Sequence, residues 1–129
     1  MIVEVVGAVI RDGAGRLLTV RKRGTRRFML PGGKREPGED DPSALARELA
    51  EELGVRLVSA VMLGRFEAPA ANEAGATVRS NAYVVQVEGE IVLQAEIEEA
   101  LWMDPAAPPD VPNAPLLVKQ IFPALLSLP

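Results

Sequence analysis

Residues 40–54, "DDPSALARELAEELG", leave the chain little choice but a helix with two defined ends. Asp41 suits the N-cap, where a side-chain oxygen takes an otherwise unpaired backbone N–H, and Pro42 fits the first helical position. Gly54 supplies the left-handed residue that closes a helix. The expected helix therefore runs Pro42–Leu53. With about 100° per residue and Leu45 as origin, Leu49 and Leu53 fall at about 40° and 80°, and Ala46 and Ala50 at about 100° and 140°. That stripe must be buried. Glu51, Glu48 and Glu52 fall at about 240°, 300° and 340°, with Arg47 at about 200°. Three carboxylates thus share one arc beside the apolar stripe, at the helix end where negative charge is least favoured. Each like-charge pair at i,i+3 or i,i+4 costs about 0.2–0.5 kcal/mol, and the macrodipole adds to this. Two readings follow: a solvated acidic face, or a cradle for a divalent cation that needs several converging oxygens.

The flanks are β-rich. "IVEVVGAVIRD" is rich in β-branched residues and ends at the turn "DGAG", so Ile2–Arg11 is an expected strand, paired as a hairpin with Arg16–Arg23. "FMLPGG" is a short extended piece broken by Pro31, and "GKREPGEDDP" is a polar loop. After the helix come strand-like "VRLVSAVMLGRFEA", the loop "PAANEAGA", then "TVRSNAYVVQVEG" and "EIVLQ", joined by a Glu-Gly-Glu turn. A strand is expected at Ala100–Met103, followed by a proline-stiffened loop. A last apolar helix spans Ala114 to about Phe122, with a kink at Pro123. Several strands with two helices, one inserted after a hairpin, make an α/β sandwich with a mixed sheet. At 129 residues the expectation is one domain, 1–129.

Neither histidine nor cysteine occurs. Disulfides, thiolate chemistry and the commonest general base are excluded, and any metal must be a hard, oxygen-loving cation such as Mg²⁺ or Mn²⁺. A net charge of −4 disfavours a broad nucleic-acid surface. No apolar run approaches the roughly 18 residues that span a bilayer. "MIVEVV" lacks a basic n-region, so no signal peptide and a cytoplasmic location are expected. Basic residues gather in "RKRGTRR" and acidic ones in "EPGEDD", "RELAEE" and "EIEE".

From Gly33 to Val55, "GKREPGEDDPSALARELAEELGV" resembles the Nudix box, G-x5-E-x7-R-E-U-x-E-E-x-G-U with U bulky and apolar. Gly33, Glu39, Arg47, Glu48, Leu49, Glu51, Glu52, Gly54 and Val55 meet every fixed position. The resemblance extends to the preceding hairpin, to "LPGGK" and to the late Trp102 after an acidic stretch, and so covers the whole chain. It implies an α/β/α sandwich and Mg²⁺- or Mn²⁺-dependent hydrolysis of a nucleoside diphosphate linked to a further group. The favoured substrate is a (deoxy)nucleoside triphosphate, oxidised forms included, cleaved to monophosphate and pyrophosphate. ADP-ribose or a nucleotide sugar is the alternative, and a non-catalytic nucleotide sensor a third.

The resemblance also assigns roles. Glu48, Glu51 and Glu52 would hold the metal, with Glu48 as the base activating water and Arg47 orienting it. The carbonyl of Gly32 would complete the shell, and Glu96, six residues before Trp102, would add a late ligand, with Glu98 and Glu99 as alternatives. Gly33, Glu39 and Gly54 would be structural. Arg21, Lys22 and Arg23 end the second strand, where family members bind phosphate. Strand alternation sets Arg21 and Arg23 against Lys22 without saying which face meets the cleft. Arg26, Arg27, Lys34 and Arg35 read as loop charges. Asn113 could read a purine edge, since an amide donates and accepts at once, or serve as the N-cap of the last helix. Phe28, Leu30 and Tyr83 could stack on a base or fill the core. The partner is a nucleotide, with neither a nucleic acid polymer nor a membrane, and the chain is a monomer or homodimer.

Overall fold

The computed structural model describes residues 1–128. Six strands are present: β1 (Ile2–Val9), β2 (Leu17–Lys22), β3 (Gly32–Gly33), β4 (Arg56–Pro69), β5 (Thr77–Glu88) and β6 (Ile97–Met103). Helix α1 spans Asp41–Leu53, and a π-helical segment, Leu117–Ile121, runs directly into α2, Phe122–Leu126. One sheet has the order β3-β1-β5-β4, in which β1 and β5 are parallel and the other neighbours antiparallel. β2 and β6 pair antiparallel in a second, two-stranded sheet.

Period-two alternation builds a core on each side of the strands. Val6, Ala8 and Ile10 of the first segment, Leu18 and Val20 of β2, and Val85 of β5 pack against Leu45, Leu49 and Leu53 of α1. Their neighbours Val9, Leu17 and Ala82 pack instead with Leu117, Ile121, Phe122 and Leu125 of the C-terminal helical stretch. Helix, strands, helix: the α/β/α sandwich with a mixed sheet is what forms. Among the described residues, no helix is long and apolar enough to cross a membrane.

Four local expectations need correction. The hairpin of Ile2–Arg11 with Arg16–Arg23 does not persist beyond its turn. Asp12 and Arg16 close it, Leu18 N–H reaches Ile10 C=O at 2.9 Å, and then β1 and β2 part into different sheets. "EIVLQ" is not a strand. Its Val92 and Gln94 N–H groups donate to the carbonyls of Leu53 and Glu52, both at 2.9 Å, so it caps the C-terminus of α1. The N-cap of α1 is Asp40, whose Oδ1 accepts from Ser43 N–H at 2.9 Å. Asp41 is the first helical residue, because its carboxylate is engaged elsewhere. Finally, the last helix is not a single α-helix kinked at Pro123. The Phe122 N–H bonds back to Leu117 C=O, a wide π turn, and Pro123 lies in the first turn of the α-helical part, where its missing N–H is tolerated.

Candidate active site

The arc positions on α1 become a gradient of burial. Glu52, nearest the leucine stripe, is 3% exposed. The side chain of Glu48 is 14% exposed and that of Glu51 55%. Acids at a helix C-terminus are tolerable here because its last carbonyls are occupied. Residues 92 and 94 take two, and Gly54, at φ 67°, closes the turn by donating to Ala50 C=O at 3.1 Å.

Glu52 Oε1 accepts from the Gly32 N–H at 3.2 Å, and Glu48, one turn earlier on α1, is its acidic neighbour. Burial, and then Glu48, push the Glu52 carboxyl up from 4.5 to about 8, while Gly32 N–H and Lys22 pull the other way. Gly33 lies directly under Glu48. A Cβ at that position would sit 2.6 Å from Glu48 Oε1. Gly32, at φ 142°, runs so close to β1 that a Cβ would sit 2.0 Å from the Val6 carbonyl oxygen.

Arg47 ties the pair to the preceding loop. Its Nε and Nη2 grip the two oxygens of Glu39, each at 2.8 Å. Nη1 donates to Glu48 Oε1 at 3.0 Å and more distantly to Glu51 Oε2 at 3.5 Å. Nη2 also donates to Lys34 C=O at 3.0 Å. Glu39 accepts as well from Glu36 N–H at 2.7 Å, and Arg47 with that N–H holds the Glu39 carboxyl down to about 2. The same contacts, led by Glu39, raise the Arg47 pKa.

The remaining expected residues are distributed as follows. Arg21, Lys22 and Arg23 are each paired with an acid from the β6 edge: Glu99 at 3.2 Å, Glu96 at 3.1 Å and Glu98 at 3.2 Å. The pairing slips between Arg21 and Lys22. Lys22 then lines a slot of about 100 Å³ with Gly7, Met29, Leu30, Gly32 and Gly33. Arg21 and Arg23 do not line that slot. Glu96 is engaged with Lys22, and among the described residues no three acidic side chains converge as a ready-made metal cluster. Asn113 pairs with Phe28 through the backbone, and its Oδ1 is buried with no hydrogen-bond partner. That unpartnered oxygen accepts from no backbone N–H, so Asn113 does not cap the helical stretch that follows. Phe28 and Leu30 are buried in the core on the α2 side.

Sequence reasoning missed one network. Asp41 Oδ2 accepts from Tyr83 Oη at 2.6 Å and Asn81 Nδ2 at 2.9 Å, and Oδ1 from Arg35 Nη1 at 3.0 Å. Tyr83 is raised to about 12 by this carboxylate. The network fastens the start of α1 to β5 across some forty positions, and its only sequence signal was a second aspartate beside the cap.

A model of the NUDIX domain matches residues 1–125. An 8-oxo-dGTP diphosphatase of Haemophilus influenzae is 37% identical over 70 residues. That stretch is 51% of this chain and 52% of the relative, so the match spans about half the length of each. A NUDIX hydrolase of Nitrosomonas europaea superimposes with a TM-score of 0.65 at 30% identity, covering 79% of this chain and 72% of the other. A MutT NUDIX hydrolase of Burkholderia pseudomallei has the same fold, with a TM-score of 0.78 at 24% identity over 100% of this chain and 99% of that one.

Proposed function

The chain belongs to the Nudix family, and from that premise we propose that it is a pyrophosphohydrolase of nucleoside triphosphates. Water attacks a phosphorus of the phosphoanhydride bridge, the P–O bond breaks, and nucleoside monophosphate and pyrophosphate leave. The observation that carries this reading is the Glu48–Glu52 pair. Glu48 lies against Gly33, Glu52 is buried at the Gly32 N–H one turn further along α1, and burial, then Glu48, push the Glu52 carboxyl up to about 8. Such a pair is uncomfortable alone and suits an oxygen-seeking divalent cation.

The donor set fits that ion. Glu48 and Glu52 would hold it, with Glu51 at the rim, and the carbonyl of Gly32 is the backbone donor we assign. Bound Mg²⁺ or Mn²⁺ would neutralise charge developing on the diphosphate and lower the pKa of a nearby water. The protein's own residues do the rest. Arg47, anchored by Glu39, fixes the rotamer of Glu48, and Glu48 takes the proton from the attacking water. In a chain without histidine the base falls to a carboxylate. Lys22 sits where a positive charge meets the phosphates, displacing its contact with Glu96. The unpartnered Oδ1 of Asn113 offers an acceptor to a base edge.

The name of the Haemophilus influenzae relative makes 8-oxo-dGTP the first substrate to try. The test is a panel of nucleotides with Mg²⁺, with products resolved chromatographically. Pyrophosphate and monophosphate from a triphosphate support the proposal. Hydrolysis confined to ADP-ribose or nucleotide sugars moves the activity to that class. Tight nucleotide binding without turnover makes the chain a sensor.

A further inference from the structure

β3 ends after two residues, and from Lys34 to Asp40 the chain has neither strand nor helix. Its path there is set by side chains, and the residues entering it are held one by one. Gly32 N–H donates to Glu52 Oε1 at 3.2 Å, and Gly33 pairs with Val6 of β1 while lying against Glu48. The Lys34 carbonyl accepts from Arg47 Nη2 at 3.0 Å. Arg35 is not the free loop charge its sequence suggests: Nη1 donates to Asp41 Oδ1 at 3.0 Å, and both side chains are partly buried. The other oxygen of Asp41 takes Tyr83 Oη at 2.6 Å and Asn81 Nδ2 at 2.9 Å. The carboxylate that receives Arg35 is therefore oriented from β5 independently of the loop.

Arg47 can serve Glu48 only while its other contacts stay in place. Its guanidinium is shared among Glu39, Glu48 and the Lys34 carbonyl. Arg35 is the residue next to that carbonyl and two from Gly33, so its charge-assisted contact with Asp41 fixes both. We propose that Arg35 and Asp41 are positioning residues for the hydrolytic site: the pair transmits the placement of β5 to the Gly32–Lys34 backbone and through it to Glu48. Neither residue touches the cation or the nucleotide; both act through the backbone they hold. This rests on the assignment of Glu48, Glu52 and the Gly32 carbonyl to a divalent cation under the proposed function.

Mn²⁺ binding to the chain without nucleotide, followed by loss of the free-ion electron paramagnetic resonance signal, tests it. Arg35→Ala should bind Mn²⁺ about tenfold more weakly than wild type, the scale of lost support behind a ligand. Arg35→Lys keeps the charge without the planar fork and should lose less. Charge alone predicts the opposite sign for Arg35→Ala, because removing a cation favours a bound cation. Arg35→Ala/Asp41→Asn restores the net charge, so charge alone predicts wild-type affinity there. A tether cut once cannot be cut again, and the double variant should match Arg35→Ala. Circular dichroism and melting temperature, with titrations run well below the transition, separate these losses from unfolding. Unchanged or tighter Mn²⁺ binding by Arg35→Ala, or wild-type affinity in the double variant, would overturn the proposal. So would a raised KM with Mn²⁺ affinity intact, the signature of an arginine that grips the nucleotide itself. A wild-type chain that hydrolyses no triphosphate would refute the proposed activity and leave the Mn²⁺ readout standing; one that binds no Mn²⁺ would overturn both.

Discussion

Arg47 holds Glu39 through two parallel N–H···O contacts of 2.8 Å each, while its third nitrogen reaches Glu48 at 3.0 Å. A residue in the loop before α1 thereby sets the orientation of a carboxylate on the helix. Glu39→Gln keeps the shape and removes the charge that fixes the fork. Its kcat should fall about 10–100-fold, the scale of lost outer-sphere support, with the circular dichroism spectrum unchanged. A kcat equal to wild type would show that Glu48 needs no such anchor.

Glu52 carries a proton in the folded chain that it lacks in the unfolded chain between pH 4.5 and about 8. Protons are thus bound preferentially by the native state, so this group favours folding below pH 4.5 and that benefit disappears as the pH rises to about 8. In chelator, the melting temperature should decline across this window, and Glu52→Gln should remove that component of the decline. Parallel melting curves for the two proteins would contradict the assignment. The same substitution should abolish Mg²⁺-dependent pyrophosphate release.

A cation that takes the place of that proton must expel it. Calorimetric titration of Mg²⁺ or Mn²⁺ at pH 7 in buffers of differing ionisation enthalpy should show release of about one proton per ion bound. Release should be absent in Glu52→Gln, whose side chain has none to give.

Gly33→Ala separates chemistry from folding. The new methyl would lie 2.6 Å from Glu48 Oε1, the end of a side chain that can move aside. The protein should fold, with turnover reduced on the order of a hundredfold by displacement of the carboxylate. Gly32→Ala meets a backbone oxygen at 2.0 Å instead, at φ 142°, and should lower the yield of folded protein. Comparing melting temperature and kcat for both variants checks the distinction.

Tyr83→Phe deletes the 2.6 Å contact to Asp41 but leaves Asn81 and Arg35 in place. The expected loss of stability is about 1 kcal/mol, measured by urea denaturation. A neutral result would show that the hydroxyl is dispensable for anchoring α1 to β5.

Much of this site was legible because it is local. The angular order of Glu51, Glu48 and Glu52 anticipated their order of burial, and Gly54 marked the helix end. What failed was long-range. Five residues, "EIVLQ", have the look of a strand, yet their N–H groups are used on the helix end, a destination no periodicity announces. Asp40 and Asp41 are equally good caps by type, and the choice between them is made by Asn81 and Tyr83 from β5. The turn at Asp12–Arg16 correctly signalled a reversal, but whether two strands stay together beyond it depends on which partners compete for their edges. β5 and β3 take β1, and β6 takes β2.

The parting of β1 from β2 has a further consequence. Val5, Val6 and Gly7 of β1 and Gly32 and Gly33 of β3, all in one sheet, line the same slot as Lys22 of the other. The glutamates belong to neither sheet; they ride on α1. Changes that slide one sheet past the other can therefore refit the channel to a differently shaped guest while the hydrolytic apparatus stays where it is. In a lineage of such proteins, selectivity and chemistry can drift at separate rates.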